Sequence, residues 1–403
     1  MFSLYSTSSF SIFSFLSLVI KMKNLVYQIH VKFLVAYHPC LPFFYYKSLN
    51  DVMNSVNSEQ RILATNYIES IKAENPHIDT WWHDLNQSPK LNQEKYELKE
   101  IYDHPSRLDE ISPLNQWRLH DGKLNLFKPT ASSRASDFEL LGIRPRGCFY
   151  YPPGGFKEWH TNIEQTGWRG YIVGIDKPGM SEFIYENHNT NEVISVKDAH
   201  MNVNLFCVPK DSNPQVWHAV RSYCNRFSLG FLLKDAARIE LILHRLEKFD
   251  EDAEIQLLIE KLTSLGASSL AWGKYTLLEH LINVCKMLYL ANRPRREYLA
   301  GLFHSIYSTH DFSHDLQISK ESVDDLIGSS AERLVSTFCN LKNRDLNIIA
   351  GTVPDHSLLT SLRWISLCNR LDSHLDDPRL ELLSHVFERT MDKNITYPDL
   401  RRE

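Results

Sequence analysis

Five side chains in the first half of the chain have the types and the spacing of a metal and anion pocket. The stretch YYPPGGFKEWHTN ends with a His-x-Asn pair, His160 and Asn162. Side chains on a β-strand alternate between its two faces, so these two residues point the same way if the segment is extended. After a long interval the chain has His218 in NPQVWHAV, followed by Arg226 and Ser228 in NRFSLGF.

Each part of this pattern has a chemical use. Non-haem Fe(II) enzymes hold the metal with two imidazoles and one carboxylate on one face, which leaves the opposite positions open. An Arg and a Ser hydroxyl one strand period apart can grip a carboxylate together, the Arg as a bidentate fork. A single histidine in a barrel is more often a hydrogen-bonded core residue, and His160 and His218 could each be one. Their spacing relative to Arg226 and Ser228 favours a pocket.

From Phe149 to Leu233 the sequence resembles the Fe(II)/2-oxoglutarate-dependent oxygenases. Their double-stranded β-helix carries His-x-Asp/Glu, a distal His, and an Arg, often Arg-x-Ser, shortly beyond it. The resemblance implies Fe(II) and 2-oxoglutarate as cofactors. It also implies oxidative decarboxylation of 2-oxoglutarate to succinate, coupled to hydrogen abstraction from a second substrate. By this resemblance His160 and His218 are the catalytic metal ligands, Asn162 occupies the carboxylate position, and Arg226 and Ser228 bind the distal carboxylate of 2-oxoglutarate.

Asn162 is the departure from the family pattern. A neutral amide is a weaker ligand than a carboxylate and leaves one more positive charge on the metal site, so iron affinity should fall. Three arrangements are open. The site can work with two histidines and a weak or water ligand, Glu164 can supply the missing carboxylate, or the site can be empty.

Two different periodicities divide the chain. Between about residues 100 and 235, short runs rich in Val, Ile, Phe, Tyr and Trp alternate with Gly, Pro, Asn and Asp. This pattern is typical of an all-β sandwich or barrel. After Lys234 apolar residues recur three and four apart almost to the end, as in AARIELILHRLEKF and TLLEHLINVCKMLYLA, which predicts helices.

Two histidines stand out in the helical part, His280 in LLEHL and His304 in AGLFHSIYSTHDF. Histidines on two packed helices can build a metal site in a bundle core. Here the sequence resembles the HD superfamily, in which a His, a later His-Asp pair and a final Asp bind metals for phosphohydrolase chemistry. His280 and His304 match the histidines, but Ser305 replaces the paired Asp, and Asn369 stands at the final Asp position. We therefore expect a degenerate HD-like domain with a second, weaker metal site and a regulatory, binding or unknown activity.

The predicted architecture is multidomain. An all-β double-stranded β-helix domain, of the jelly-roll or cupin-like kind, is expected over residues 51–236, followed by an all-α HD-like helical domain over residues 254–395. Residues 237–253, with the acidic EKFDEDAE, are assigned to a linker or helix. Residues 1–50 are assigned to an N-terminal extension of unknown role.

Composition limits the partners. The net charge of -5 gives no general attraction to nucleic acid or to anionic membranes. The seven cysteines contain no Cys-x-x-Cys pair and suit a reducing cytoplasm. The apolar stretch FSIFSFLSLVI, Phe10 to Ile20, is too short to span a bilayer and has no basic residue before it. We expect a cytoplasmic protein whose sequence has no nucleic-acid signal and no clear membrane signal; a signal peptide or anchor at this stretch is the alternative to an N-terminal extension.

The leading functional interpretation is an oxygenase acting on an unidentified small-molecule or peptide substrate. One alternative is an HD-type metal-dependent phosphohydrolase in which the β domain recognises the substrate. The other is a non-catalytic small-molecule-binding protein with a cupin-type β domain.

Overall fold

The computed structural model describes several stretches of the chain. They are residues 26–36, 53–54, 56, 58–74, 86, 117–118, 123–125, 143–162, 166–187, 190–208, 216–273, 275–309, 312–375 and 377–391. The chain divides into two compact units. The first unit contains Met1–Val31 and Ser48–Ala236, and the second contains Lys32–Lys47 and Ala237–Glu403.

Among the described residues, the first unit contains two antiparallel sheets and the helix α1 (Ser58–Glu74). The large sheet has the strand order β1-β9-β6-β11-β4-β3-β2, and the small sheet has the order β5-β10-β7-β8. The strands are β1 (Val26–His30), β2 (Trp117–Arg118), β3 (Lys123–Asn125), β4 (Ile143–Tyr151), β5 (Phe156–His160), β6 (Gly167–Ile175), β7 (Ser181–Asn187), β8 (Glu192–Lys197), β9 (Asn202–Val208), β10 (His218–Ser222) and β11 (Arg226–Leu233).

From β4 onward the chain passes back and forth between the two sheets. β4, β6, β9 and β11 lie in the large sheet, whereas β5, β7, β8 and β10 lie in the small one. The first crossing is a tight turn in which the Gly155 N–H donates to the Pro152 carbonyl at 2.8 Å. Gly154, the third residue of this turn, has φ 84°, which favours glycine. Because of these crossings, most pairs from β4 onward join strands that are distant in sequence, whereas β7 and β8 are consecutive and pair directly.

Aromatic side chains from both sheets form the core of this unit. Phe183 of β7 lies 5.8 Å from Phe206 of β9, measured between ring centroids. Both rings are almost fully buried, and burying one such side chain stabilises a fold by about 1.5–3 kcal/mol. The sheets therefore face each other across a packed aromatic layer.

The second unit is helical. Its helices are α2 (Ala236–Glu251), α3 (Ala253–Ser264), α4 (Leu277–Leu290), α5 (Arg295–Phe303), α6 (Lys320–Ile327), α7 (Ser329–Asn340), α8 (Arg344–Ala350), α9 (Leu359–Ser373) and α10 (Pro378–Met391). It also contains the short strands β12 (Ala271–Trp272) and β13 (Tyr275–Thr276), the 3-10 helices Ala267–Ser269 and His356–Leu358, and residues from Lys32 onward of the 3-10 helix Val31–Ala36.

Helix α4 is the centre of this unit. Thr276 and Glu279 form a capping box at its N-terminus, which satisfies backbone N–H groups that the helix leaves free. Buried residues cover most of its circumference, as expected for a helix enclosed by others. Gly301 allows α5 to approach closely, because a Cβ there would lie 2.5 Å from Leu288 Cδ1. The predicted division into antiparallel β structure followed by helices is confirmed.

Two segments outside the predicted domain cores have defined structure. Val26–His30, within the segment interpreted as an extension, forms β1 and pairs antiparallel with β9. α2 covers most of residues 237–253, and Asp252 then caps α3 by accepting a hydrogen bond from the Ile255 N–H at 3.1 Å. The apolar stretch from Phe10 to Ile20 lies outside the described residues. Where the structure describes the chain, no helix is both long and apolar enough to cross a membrane.

Candidate metal and anion pocket

Pairing of two strands brings the two predicted histidines together. His160 is the last residue of β5, His218 is the first residue of β10, and the antiparallel register places them opposite each other. Their ring centroids are 4.1 Å apart. His218 is buried and also packs against Phe206, at 4.8 Å between centroids. The histidines therefore meet at the edge of the aromatic layer.

Asn162 lies beside the same pair. Its side-chain Nδ2 is 2.9 Å from His218 Nε2. On the other side of the His218 ring, Nδ1 is 3.0 Å from the Val216 carbonyl oxygen, which can only accept. Nδ1 therefore carries the proton, and Nε2 presents a lone pair toward Asn162. A metal ligand needs its lone pair in this position.

These three residues fit a divalent cation with a neutral donor set. Two atoms that bind one first-row metal at about 2.1 Å and at right angles lie roughly 3 Å apart. The 2.9 Å between Asn162 and His218 matches this spacing. A half-turn of the amide exchanges its nitrogen and oxygen, which differ little in size, so Asn162 can present Oδ1 to a cation.

No carboxylate completes this site where the structure describes the chain. Across those residues, no group of three or more His, Cys, Asp or Glu side chains is placed to hold a metal ion. Glu164, the predicted substitute ligand, lies outside the described residues. The third donor available at this point is therefore the Asn162 amide.

Arg226 and Ser228 line the same pocket as the two histidines. Arg226 is 1% exposed, and its Nε donates to Asp198 Oδ2 at 2.9 Å. The guanidinium carbon lies 5.0 Å from the centroid of the Tyr151 ring. Nε is one of five N–H donors on this side chain, and the Nη donors have no hydrogen-bond partner among the described residues. One edge of the guanidinium is therefore available to a ligand.

Lys157 is a second cation in the pocket, and the strand pattern did not predict it. Lys157 is an odd number of residues from His160, so simple alternation places them on opposite faces. The register between β5 and β10 shifts between the His218–His160 pair and the Val220–Lys157 pair. Such a bulge re-aims side chains. Both Lys157 and His160 consequently line the pocket.

The pocket has the charge of a site for a small anion. It contains about 340 Å³ of space between atoms, a figure that includes open solvent at its mouth. Lys157 and Arg226 carry charge in its wall, and no carboxylate is among the described lining residues. The remaining wall is mostly aromatic, with Phe149, Tyr151, Tyr171 and Phe183.

The helical unit brings a second set of predicted residues together. His280 lies on α4, His304 caps the C-terminus of α5, and Asn369 lies on α9. His280 Nε2 is 3.1 Å from His304 Nε2 and 3.0 Å from Asn369 Oδ1. His304 Nε2 is 3.1 Å from the same Asn369 oxygen. Three ligand-type atoms thus form a nearly equilateral triangle.

The other ring nitrogens determine the proton positions in this triangle. His280 Nδ1 donates to Asp372 Oδ2 at 2.7 Å, and His304 Nδ1 donates to the Gly301 carbonyl at 2.7 Å. Both Nε2 atoms therefore carry lone pairs when the rings are neutral. Burial, reinforced by the neighbouring His280, lowers the pKa of His304 to about 3. With the Asn369 oxygen, three acceptors point at one another.

Asp372 organises this buried cluster, and sequence reasoning missed it. Its carboxylate accepts from His280, from the Tyr275 hydroxyl at 2.5 Å, from Asn283 Nδ2 at 2.9 Å, and from the Lys32 ammonium. Burial opposes its ionisation, but the hydrogen bonds from His280 and Lys32 hold its pKa well below the usual range. Its position three residues after Asn369 on one helix was the available signal.

Ser305, expected at the place of the HD-type aspartate, is buried beside His304. Its carbonyl oxygen lies 2.7 Å from His314 Nε2. His310 and Asp311, which also occur in this region of the sequence, lie outside the described residues.

Comparisons with known proteins give low-identity similarities. Residues 261–343 match the model of a domain of unknown function, DUF6817. This match gives no support to the expected HD-like resemblance of the helical part. No curated protein matches the chain.

The solved structures that are similar to parts of the chain include three oxygenases. An oxidoreductase of the 2OG-Fe(II) oxygenase family from Burkholderia pseudomallei is 16% identical, with a TM-score of 0.19, over 24% of this chain and 48% of that one. A prolyl hydroxylase from Trichoplax adhaerens, in complex with a hypoxia inducible factor oxygen degradation domain peptide fragment, is 18% identical, with a TM-score of 0.19, over 24% and 47%. A Pseudomonas putida prolyl-4-hydroxylase is 13% identical, with a TM-score of 0.23, over 54% and 96%. The chain spans about half the length of the first two structures, 48% and 47%.

Proposed function

We propose that the first unit is a double-stranded β-helix domain that acts as an Fe(II)/2-oxoglutarate-dependent oxygenase. The observation that carries the proposal is one pocket in which His160 and His218 meet a guanidinium edge of Arg226. The passage of eight successive strands between two facing sheets is the arrangement of jelly-roll and cupin folds.

The chain's own residues have separate tasks in this proposal. His160, His218 and Asn162 hold the metal, and the Val216 carbonyl keeps the His218 Nε2 lone pair directed at it. Arg226 and Ser228 bind the distal carboxylate of 2-oxoglutarate. The aromatic wall excludes water from the reacting groups. Iron, when bound, supplies oxygen-dependent decarboxylation of 2-oxoglutarate and oxidation of a second substrate.

The neutral donor set makes metal and dicarboxylate binding depend on each other. Two imidazoles and an amide leave both charges of a divalent cation uncompensated, which weakens metal binding alone. The carboxylate beside the 2-oxo group compensates part of this charge, and Lys157 and Arg226 lie in the same pocket as partners for the distal carboxylate. We expect each ligand to tighten the binding of the other by the same factor.

The test uses the full chain under anaerobic conditions. Fe(II) with 2-oxoglutarate should give a weak visible charge-transfer band, and admission of oxygen should give slow succinate formation. We expect His218→Ala to lower both signals at least about fivefold. Arg226→Lys should raise the 2-oxoglutarate concentration for half-saturation about fivefold, because lysine lacks the planar fork.

The outcomes separate the alternatives for this unit. If the wild-type protein gives neither the charge-transfer band nor succinate at saturating iron, the oxygenase proposal is wrong. Tight binding of 2-oxoglutarate without succinate formation would instead indicate a non-catalytic binding protein. His244→Ala is a matched control because His244 lies on α2, outside the first unit and outside the pocket.

For the helical unit we propose a bound metal cation rather than phosphohydrolase chemistry. The supporting observation is the triangle of three acceptors, His280 Nε2, His304 Nε2 and Asn369 Oδ1, with edges of 3.0–3.1 Å. Lone pairs that converge without a hydrogen between them repel, and a cation relieves this repulsion. The Asp372–His280 hydrogen bond is the orienting contact that ligand histidines commonly have. His280 and His304 are fully buried, which suits a structural ion and not an attacking water with a phosphate ester.

Metal analysis of the chain carrying His218→Ala tests this site separately. We expect about one equivalent of a transition metal, reduced at least about fivefold when His304→Gln is added. His356→Gln, at an exposed histidine of the same unit, should leave the metal content unchanged. An Asn369 amide turned to donate from Nδ2 would satisfy both rings without a metal, and a metal-free protein would show this. Phosphate release from generic esters, lost in His304→Gln, would support the phosphohydrolase alternative.

A further inference from the structure

We infer that Asp198 is a positioning residue that orients Arg226 toward the distal carboxylate of the dicarboxylate ligand. This inference deepens the proposed function and rests on it. Asp198 is not among the lining residues of the pocket. It acts through Arg226, to which it is joined by a buried ion pair, Arg226 Nε to Asp198 Oδ2 at 2.9 Å.

The backbone of Asp198 is held on both sides. Asp198 follows β8, and its N–H donates to the Ser181 carbonyl at 2.8 Å. Its own carbonyl accepts from the Gly179 N–H at 3.0 Å. These bonds hold the Asp198 backbone against Gly179, in the turn before β7, and against Ser181, the first residue of β7. The Asp198 side chain therefore extends from a fixed backbone position.

The carboxylate itself is held by three donors. Oδ2 accepts from Arg226 Nε and from the Ser181 hydroxyl, the latter at 2.6 Å. Oδ1 accepts from Asn204 Nδ2 at 3.2 Å. With both oxygens engaged by partners from different strands, the carboxylate plane cannot rotate freely, and the direction of the Arg226 Nε–H is set with it.

Asn204 is oriented in its turn by two further amides. Its Oδ1 accepts from Asn202 Nδ2 at 3.0 Å and from Gln28 Nε2 at 3.2 Å. An amide oxygen that accepts twice leaves the NH₂ group to donate, so the Asn204 amide must turn Nδ2 toward Asp198. A polar chain thus runs from Gln28 on the edge strand β1 to Arg226 in the pocket wall.

This arrangement assigns different tasks to the two cations of the pocket. Asp198 offsets the charge of Arg226, so the pair offers directed N–H donors more than net charge. Lys157 lines the pocket wall with a second cationic side chain. Tyr151 lies against the guanidinium, 5.0 Å from its central carbon. The position of Arg226, more than its charge, then decides between a ligand with a distal carboxylate and one without.

The experiment compares two ligands in the full chain with Mn²⁺ under anaerobic conditions, by isothermal titration calorimetry. 2-Oxoglutarate has the distal carboxylate, and 2-oxobutyrate has the same 2-oxo acid head without it. We expect Asp198→Ala to weaken 2-oxoglutarate binding about tenfold and to change 2-oxobutyrate binding less than about twofold. A general loss of structure would weaken both ligands equally.

Two conservative variants separate position from charge. Asp198→Asn keeps an oxygen acceptor at the same place and should bind 2-oxoglutarate within about threefold of wild type. Asp198→Glu keeps the charge but displaces it by one methylene, and should weaken 2-oxoglutarate about fivefold. If Asp198→Ala fails to fold, the Asn and Glu variants decide. Asp176→Ala is the matched control, since this exposed carboxylate contacts Asn225 and not Arg226.

Unchanged 2-oxoglutarate affinity in Asp198→Glu and Asp198→Ala would overturn the positioning role while leaving the proposed function in place. Equal losses for both ligands would also overturn it. If the wild-type protein binds neither ligand, the proposed function fails and the inference fails with it.

Discussion

Asp372→Ala is expected to lower the free energy of unfolding of the helical unit by about 3–5 kcal/mol, the range for removing one partner of a buried ion pair. The Asp372 carboxylate is fully buried and accepts from four groups, of which Lys32 carries a charge. Its removal leaves the buried Lys32 ammonium and the His280 Nδ1–H without this acceptor, whereas the half-buried Tyr275 hydroxyl keeps its hydrogen bond to the backbone carbonyl of residue 372 at 2.8 Å. Unpaired buried donors cost far more than the net value of the bonds they lose.

The effect should be confined to the second unit. Hydrogen exchange followed by mass spectrometry reports each unit separately, which a single unfolding curve of a two-unit chain cannot do. Peptides from α4 and α9 should exchange much faster in Asp372→Ala, and peptides from β6 and β11 should not change. Asp325→Ala removes an exposed carboxylate on α6 and is the matched control. A decrease of less than about 1 kcal/mol in the free energy of unfolding of the helical unit would contradict the organising role of Asp372.

A double-mutant cycle identifies the ion pair as the source of the effect. Lys32→Met removes the buried charge and keeps most of the side-chain volume. Added to Asp372→Ala, it should restore part of the lost stability, because the ammonium is no longer buried without a partner. Additive losses in the double variant would show that Lys32 and Asp372 do not act as a pair.

Asn162→Asp is expected to tighten Fe(II) or Mn²⁺ binding in the first unit about 100-fold. The substitution changes one amide into a carboxylate of nearly the same shape, beside His218 Nε2, from which Asn162 is 2.9 Å away. A negative ligand in direct contact with a divalent cation gains charge interaction that the neutral amide lacks. No carboxylate is among the described lining residues of the pocket. The Asp introduced at position 162 would therefore add a negative charge that these residues do not supply.

Competition with a chelator of known affinity measures the change. Asn191→Asp introduces the same charge at an exposed turn of the same unit, and it should leave metal affinity within about twofold. 2-Oxoglutarate should also increase the metal affinity of the wild-type protein more than that of Asn162→Asp, since the added carboxylate already offsets part of the metal charge. Equal metal affinity in the wild type and in Asn162→Asp would show that this side chain is not a ligand.

Much of the first site was predictable because its residues follow local strand geometry. Residue spacing predicted one pocket, and the structure places the five predicted residues around that pocket or beside it, namely His160, Asn162, His218, Arg226 and Ser228. Lys157 was not predictable, because a register shift between β5 and β10 changes the face on which it lies. Alternation is a local rule, and a bulge is decided by the pairing of distant strands.

The division into strands followed by helices was determined by the sequence alone, because a spacing of two or of three to four residues between apolar side chains is visible among neighbouring residues. Only the tertiary structure decided which buried charges meet. Asp198 and Arg226 are separated by 28 residues, and Lys32 and Asp372 by 340. No local pattern specifies such a partner, since burial makes a counter-charge necessary without saying where in the chain it comes from. The positioning of Arg226 and the organisation of the His280 cluster therefore became visible only once the chain was folded.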